Sequence, residues 1–139
     1  MRSLWKGMLY LGSVWDARLH RFDPARLELG VVDLGSRGEG STFPTGNAED
    51  PDGTLWIGTA PESRLIKYES ETGEFTQIGR MHEEENYLYP LAGDDGTIAA
   101  LVWVVRPHIV MVDPADGRTS ESRASDHGCY GQVAVSTVI

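Results

Sequence analysis

Apolar residues in this chain come in short runs that alternate with polar ones. Clusters of Gly, Pro, Asp and Ser interrupt them at intervals of about ten residues. Short apolar runs punctuated in this rhythm read as the strands of an all-β fold, and no stretch reads convincingly as helix. Three of the runs nearly repeat one another: Gly7-Met-Leu-Tyr-Leu-Gly-Ser13, Gly53-Thr-Leu-Trp-Ile-Gly-Thr59 and Gly96-Thr-Ile-Ala-Ala-Leu-Val102. Each is followed by a second apolar run, at 17–23, 63–69 and 107–113. Gly7, Gly53 and Gly96 lie 46 and 43 residues apart, the period of a four-stranded propeller blade.

The middle repeat serves as template, with strands expected at 42–48 (innermost), 54–59, 63–69 and 74–79. Asp52-Gly53 supplies the positive backbone angles of a tight hairpin turn. The third repeat follows with strands at 87–92, 97–103, 107–113 and 118–123, and the first with strands at 8–13, 18–23 and near 30–35. No inner strand is evident ahead of residue 8, and Trp5 is expected to precede the first strand. The run 129–135 stands where the inner strand of a following or swapped blade belongs. The expected fold is thus all-β, a single partial β-propeller domain over 1–139 of about three four-stranded antiparallel blades. Blade 1 spans 7–35 without its inner strand, blade 2 spans 42–79 and blade 3 spans 87–123.

Propellers close with four to eight blades, and three alone would leave two apolar faces open. Two arrangements resolve this. Either the chain is a piece of a longer propeller, which the abrupt ending favours, or copies assemble head-to-tail into a homo-oligomeric ring.

Composition narrows the partners. The chain has 139 residues and a formal net charge of −9, which argues against nucleic acid and anionic membranes as partners. No apolar run approaches the ~18–20 residues of a membrane span. No secretory signal is visible at the N-terminus, and the compartment stays open. The lone Cys129 excludes an intrachain disulfide and reads as a small buried hydrophobe.

The segments Asp50-Pro-Asp-Gly-Thr-Leu-Trp-Ile-Gly-Thr59, Arg64-Leu-Ile-Lys-Tyr-Glu69 and Thr72-Gly-Glu-Phe75 resemble repeats of a broad propeller group. That group includes two-component-regulator sensor propellers, NHL-repeat proteins, gluconolactonase-like enzymes and virginiamycin B lyase. Phe22-Asp-Pro24 and Val112-Asp-Pro-Ala-Asp-Gly117 repeat the same strand ending. The resemblance extends over roughly residues 7–135. It implies the fold and no particular activity, because its motif residues form turns and pack blades. Tyr87-Leu-Tyr89 also resembles the Tyr-rich inner strands of some polysaccharide-lyase propellers.

Ligands of propellers meet the end of the axis where inner strands begin, which directs attention to 36–47, 80–90 and 124–132. His82 and His127 fall there 45 residues apart, one blade period, each just before an inner strand. Both read as acid–base groups or metal ligands facing the axis, with Tyr87 able to polarise a substrate C–O bond. The alternative, two ordinary exposed loop histidines, stays open, since no His-x-His or His-Glu-x-x-His pairing reinforces them. Asn47, Arg80, Asn86, Tyr89 and Tyr130 are candidate ligand-binding residues in the same segments, and Trp15 offers an indole to stack on a sugar.

Glu83, Glu84 and Glu85 with Asn86 could offer oxygen ligands to a divalent cation such as calcium, as gluconolactonase-like propellers do with Glu, Asn and Asp. Three consecutive acids cannot all face one point, so a solvated acidic loop is expected there, with no cofactor. His20 and His108 lie in third strands, where surface or packing roles are expected. Trp56 and Trp103 lie in second strands, where their rings should pack between sheets. The functional expectation is a ligand- or carbohydrate-recognising propeller module. One alternative is a carbon–oxygen lyase or lactonase acting through His82, His127 and Tyr87. A second is a non-catalytic sensor or assembly propeller.

Overall fold

Turn chemistry sets the strand boundaries. Asp50 Oδ1 accepts from the backbone N–H groups of Asp52 (3.0 Å) and Thr54 (3.1 Å), and Gly53 follows at φ +85°, where a Cβ would be strained. Asp23 and Asp113, each before a proline, accept from the amides of Ala25 and Ala115 at 2.9 Å, so the repeated Asp-Pro dipeptides do the same work in two blades. The computed structural model describes residues 2–5, 7–13, 18–36 and 43–123, with the backbone alone at 2–5, 36 and 121–123.

Three four-stranded antiparallel sheets result. The first runs β1 (Arg2–Trp5), β2 (Met8–Gly12), β3 (Arg18–Phe22) and β4 (Val31–Ser36). The second runs β5 (Phe43–Glu49), β6 (Leu55–Ala60), β7 (Arg64–Glu69) and β8 (Glu74–Arg80). The third runs β9 (Tyr87–Ala92), β10 (Ile98–Trp103), β11 (His108–Val112) and β12 (Thr119–Arg123). A 3-10 turn at Leu27–Leu29 is the sole helical element among the described residues. Neighbouring sheets touch through their first strands, β1 against β5 and β5 against β9, as blades do around an axis.

One expectation is corrected. Blade 1 does not begin in mid-blade, because Arg2–Trp5 pairs antiparallel with β2 and supplies its first strand. Trp5 therefore lies inside a strand. A run with only two apolar residues, Leu4 and Trp5, gives little strand signal, and the pairing comes from the hairpin at Gly7 (φ +80°). The run 129–135, with Cys129, lies outside the described residues.

The middle sheet has a core against each face, and every residue of β6 is buried. Leu55 and Ile57 join Tyr10, Leu19, Ile66 and Tyr68 in one core, against blade 1. Trp56, on the opposite face, joins Leu88, Ile98, Ala100, Val102 and Val110 in a second, against blade 3. Its indole N–H donates to Asp50 Oδ2 (2.9 Å), fixing the ring to its own turn. Gly58 lets β9 come closest. A Cβ there would meet the Leu88 carbonyl oxygen and stand 2.8 Å from Leu88 Cδ2 and Pro90 Cδ. The Thr45 hydroxyl donates to that same carbonyl.

Two outcomes follow from this packing. Gly58→Ala should lower stability by about 2 kcal/mol or more, since backbone cannot yield as a side chain would, and an unchanged urea midpoint would contradict the close approach. Burial also pushes the phenols of Tyr10 and Tyr68 above their ordinary value near 10. Above that value the unfolded chain releases these protons first, so stability should fall as pH rises through the window up to the folded value. Urea midpoints measured above pH 10 should fall less steeply in Tyr68→Phe, and an identical slope would exclude this origin.

Candidate functional site

Where β9 begins and β10 ends, two connections meet: 81–86 between β8 and β9, and 104–107 between β10 and β11. The first is pinned from blade 2 by Ser63, which is fully buried at φ +43°, a conformation that non-glycine residues rarely adopt. Its N–H donates to the Asn86 carbonyl (2.9 Å), its carbonyl accepts from the Met81 N–H (2.9 Å), and its hydroxyl donates to the His82 carbonyl (3.2 Å). Arg80 Nε donates to that carbonyl as well (2.9 Å). The Glu84 N–H in turn donates to His82 Nδ1 (3.1 Å), which sets the orientation of the ring.

From blade 3 the tie is Glu85. Its side chain is 1% exposed, and its two oxygens accept from the backbone N–H groups of Val105 and Arg106, each at 2.8 Å. His108 Nε2 lies 3.6 Å from Oε1, and the His108 ring stacks on His82 with centroids 4.2 Å apart and planes tilted by 30°. These residues line an open cleft of about 720 Å³ together with Met81, Glu83, Glu84, Val105 and Arg106. Three carboxylates against one guanidinium make its lining net acidic.

The expected solvated acidic loop is corrected in part, because Glu83 and Glu84 are exposed whereas Glu85 is buried. His108 is corrected too, since the first residue of β11 belongs to the cleft and not to a packing position remote from the site. Neither placement shows in local sequence. Glu85 is drawn inward by the amides of a different hairpin, and His108 by pairing of β10 with β11.

The other candidates divide. His82 lines the cleft. Arg80 and Asn86 support its backbone, Arg80 through its side chain and Asn86 through its carbonyl. Tyr87, 41% exposed, packs against Trp103 at 5.8 Å between centroids, and Tyr89 stacks on the same indole at 6.3 Å. Trp103 is half-buried, and its buried indole N–H has no hydrogen-bond partner among the described residues. Asn47 sits on β5 opposite Ile57, away from the cleft lining. Trp15, His127 and Tyr130 lie outside the described residues. His20, by contrast, bonds Ser13 Oγ through Nε2 (3.1 Å) in blade 1.

The Glu85 bridge generates a prediction. Glu85→Gln places an N–H₂ group against a backbone N–H and strands a buried donor, so stability should drop by about 1–3 kcal/mol. A denaturation midpoint equal to wild type would show that the bridge contributes nothing.

No family model and no curated protein matches the sequence. Solved structures do. Virginiamycin B lyase from Staphylococcus aureus superposes with a TM-score of 0.73 at 13% identity, over 90% of this chain and 41% of that one. A catalytically inactive histidine-to-alanine form of the lyase with quinupristin gives 0.72 at 12% identity, over 90% and 41%. An auxiliary nutrient binding protein from Bacteroides thetaiotaomicron gives 0.67 at 12% identity, over 95% and 33%. The extracellular domain of a protein from that organism described as a one-component system gives 0.64 at 16%, over 90% and 18%. The chain thus spans about two-fifths of the lyase, covering 41% of it. At these identities the likeness is one of fold, and the chain is a partial β-propeller.

Proposed function

We propose that this chain recognises a small hydroxylated ligand, of carbohydrate class, in the cleft between the 81–86 and 104–107 connections. The observation that carries the reading is the bridged pair of loops, which holds His82, Glu85, Arg106 and His108 around a cleft of about 720 Å³. That size lies within the ~300–1,000 Å³ range of small-molecule sites. Arg106 and the exposed Glu83 and Glu84 supply donors and acceptors for hydroxyl groups. Tyr87 and Trp103, each two residues from a cleft-lining residue, supply aromatic surface for a sugar ring. A nutrient-binding protein among the similar structures supports the same class of role.

A second reading rests on the stacked histidines. His82 would act as an acid–base group on a C–O bond, with Tyr87 beside the loop and His127 as its further partner. The lyase whose inactive form lacks a histidine supports it. Head-to-tail association of copies belongs to the same proposal as a means of covering the outer faces of blades 1 and 3.

A glycan array followed by calorimetry tests recognition. Binding of an arrayed sugar should be lost in Arg106→Ala and weakened in Tyr87→Ala. An array without a hit, or hits indifferent to both changes, would overturn it. Incubation with quinupristin, followed by chromatography and fragment-ion analysis because ring opening by elimination leaves the mass unchanged, separates the second reading: a new ring-opened product that disappears in His82→Ala supports the enzyme, and unchanged retention and fragmentation remove that substrate from consideration. Light scattering should return a multiple of 15.3 kDa, and a 15.3 kDa monomer would contradict association.

A further inference from the structure

We propose that His82, Glu85 and His108 form a binding site for a borderline divalent transition metal, with Zn²⁺ as the type ion. The site shares the cleft with the recognition proposal but does not require a sugar, since metal loading is measurable with no organic ligand present. One ligand atom from each residue lies within 4.8 Å of the other two. A tetrahedral ion bound at ~2.0–2.2 Å needs donors about 3.3 Å apart, so closure takes side-chain displacements of up to about 1.5 Å.

The burial of Glu85 is the stronger argument. A carboxyl side chain with 1% exposure has lost its water, so its oxygens must be satisfied by neighbouring groups. Two backbone N–H bonds do so in part and orient both oxygens, as outer-shell donors do for a metal-bound carboxylate. Each carboxylate oxygen accepts along two directions, so those bonds still allow coordination. The Glu84 amide occupies His82 Nδ1, which assigns coordination to Nε2. The stacked rings, 4.2 Å apart, bring the two imidazoles to the same side of the cleft.

The donor set selects the ion. Two imidazoles and one carboxylate suit Zn²⁺, Co²⁺ or Ni²⁺, whereas Ca²⁺ and Mg²⁺ take shells of oxygen. The calcium considered for the acidic run is therefore replaced by a nitrogen-binding metal, with Glu83 and Glu84 drawing the cation in from the rim. Three protein ligands leave a fourth position for water or for an oxygen of a bound molecule.

The test uses the full chain, stripped with a chelator and titrated with Zn²⁺ by calorimetry and with Co²⁺ by visible absorption. One ion per chain and a tetrahedral Co²⁺ spectrum are expected. Affinity should fall at least about tenfold, the lower bound for changes in the supporting residues of metal sites, in His82→Ala and His108→Ala, while His20→Ala binds as wild type. His82 is on a loop, so His82→Ala keeps the test decisive if Glu85→Gln does not fold. Absent saturable binding, binding unchanged in His82→Ala, or equal affinity for Ca²⁺ would each overturn the site. Metal binding without a glycan hit leaves this inference standing and removes recognition of a sugar, and the converse removes only the metal.

Discussion

The carboxylate of Glu85 holds the two sides of the cleft together. It reaches from the connection leaving blade 2 into the hairpin of blade 3 and takes two backbone N–H groups that would otherwise face the cleft. It adds two backbone hydrogen bonds to the contact that the His82 and His108 rings already make between this loop and strand. Ser63 performs the complementary task from blade 2, with three hydrogen bonds gathered on one buried residue. Its positive φ is a local strain of order 1 kcal/mol, sustained by those bonds. The loop is thus fixed from both blades it connects, which is what a preorganised site requires.

Beneath the loops lies a rigid wedge. β6 is buried from end to end because blade 2 has a neighbour on each side, and Gly58 removes the one side chain that would hold β9 away. Close seating of β9 puts Glu85 and Tyr87 at a fixed height relative to blade 2. The core between blades 2 and 3 therefore sets the geometry of the cleft, and the turn and loop residues act on a frame it has already positioned.

Much of this frame was legible in the sequence. The Asp-Gly turns at Gly53 and Gly96 and the apolar run Leu55-Trp-Ile57 mark strand positions within a residue or two, since both are local features of the chain. The first strand of blade 1 was not legible, because Arg2–Trp5 has a weak pattern and exists through its pairing with β2. At the site, position along the repeat singled out His82. Nothing local marked Glu85 among three identical acids, or His108 beside Pro107. Their places depend on which amides a folded hairpin presents, a property of tertiary contact that no spacing encodes.

The tie between the two connections can be observed directly by amide hydrogen exchange. Val105 is 61% exposed and sits outside any strand, where a backbone N–H would ordinarily exchange fast. Its N–H and that of Arg106 should nonetheless be protected, well above Val104 in the same connection, because both donate to Glu85. Exchange of Val105 and Arg106 as fast as that of Val104 would contradict the bridge and, with it, the cleft built upon it.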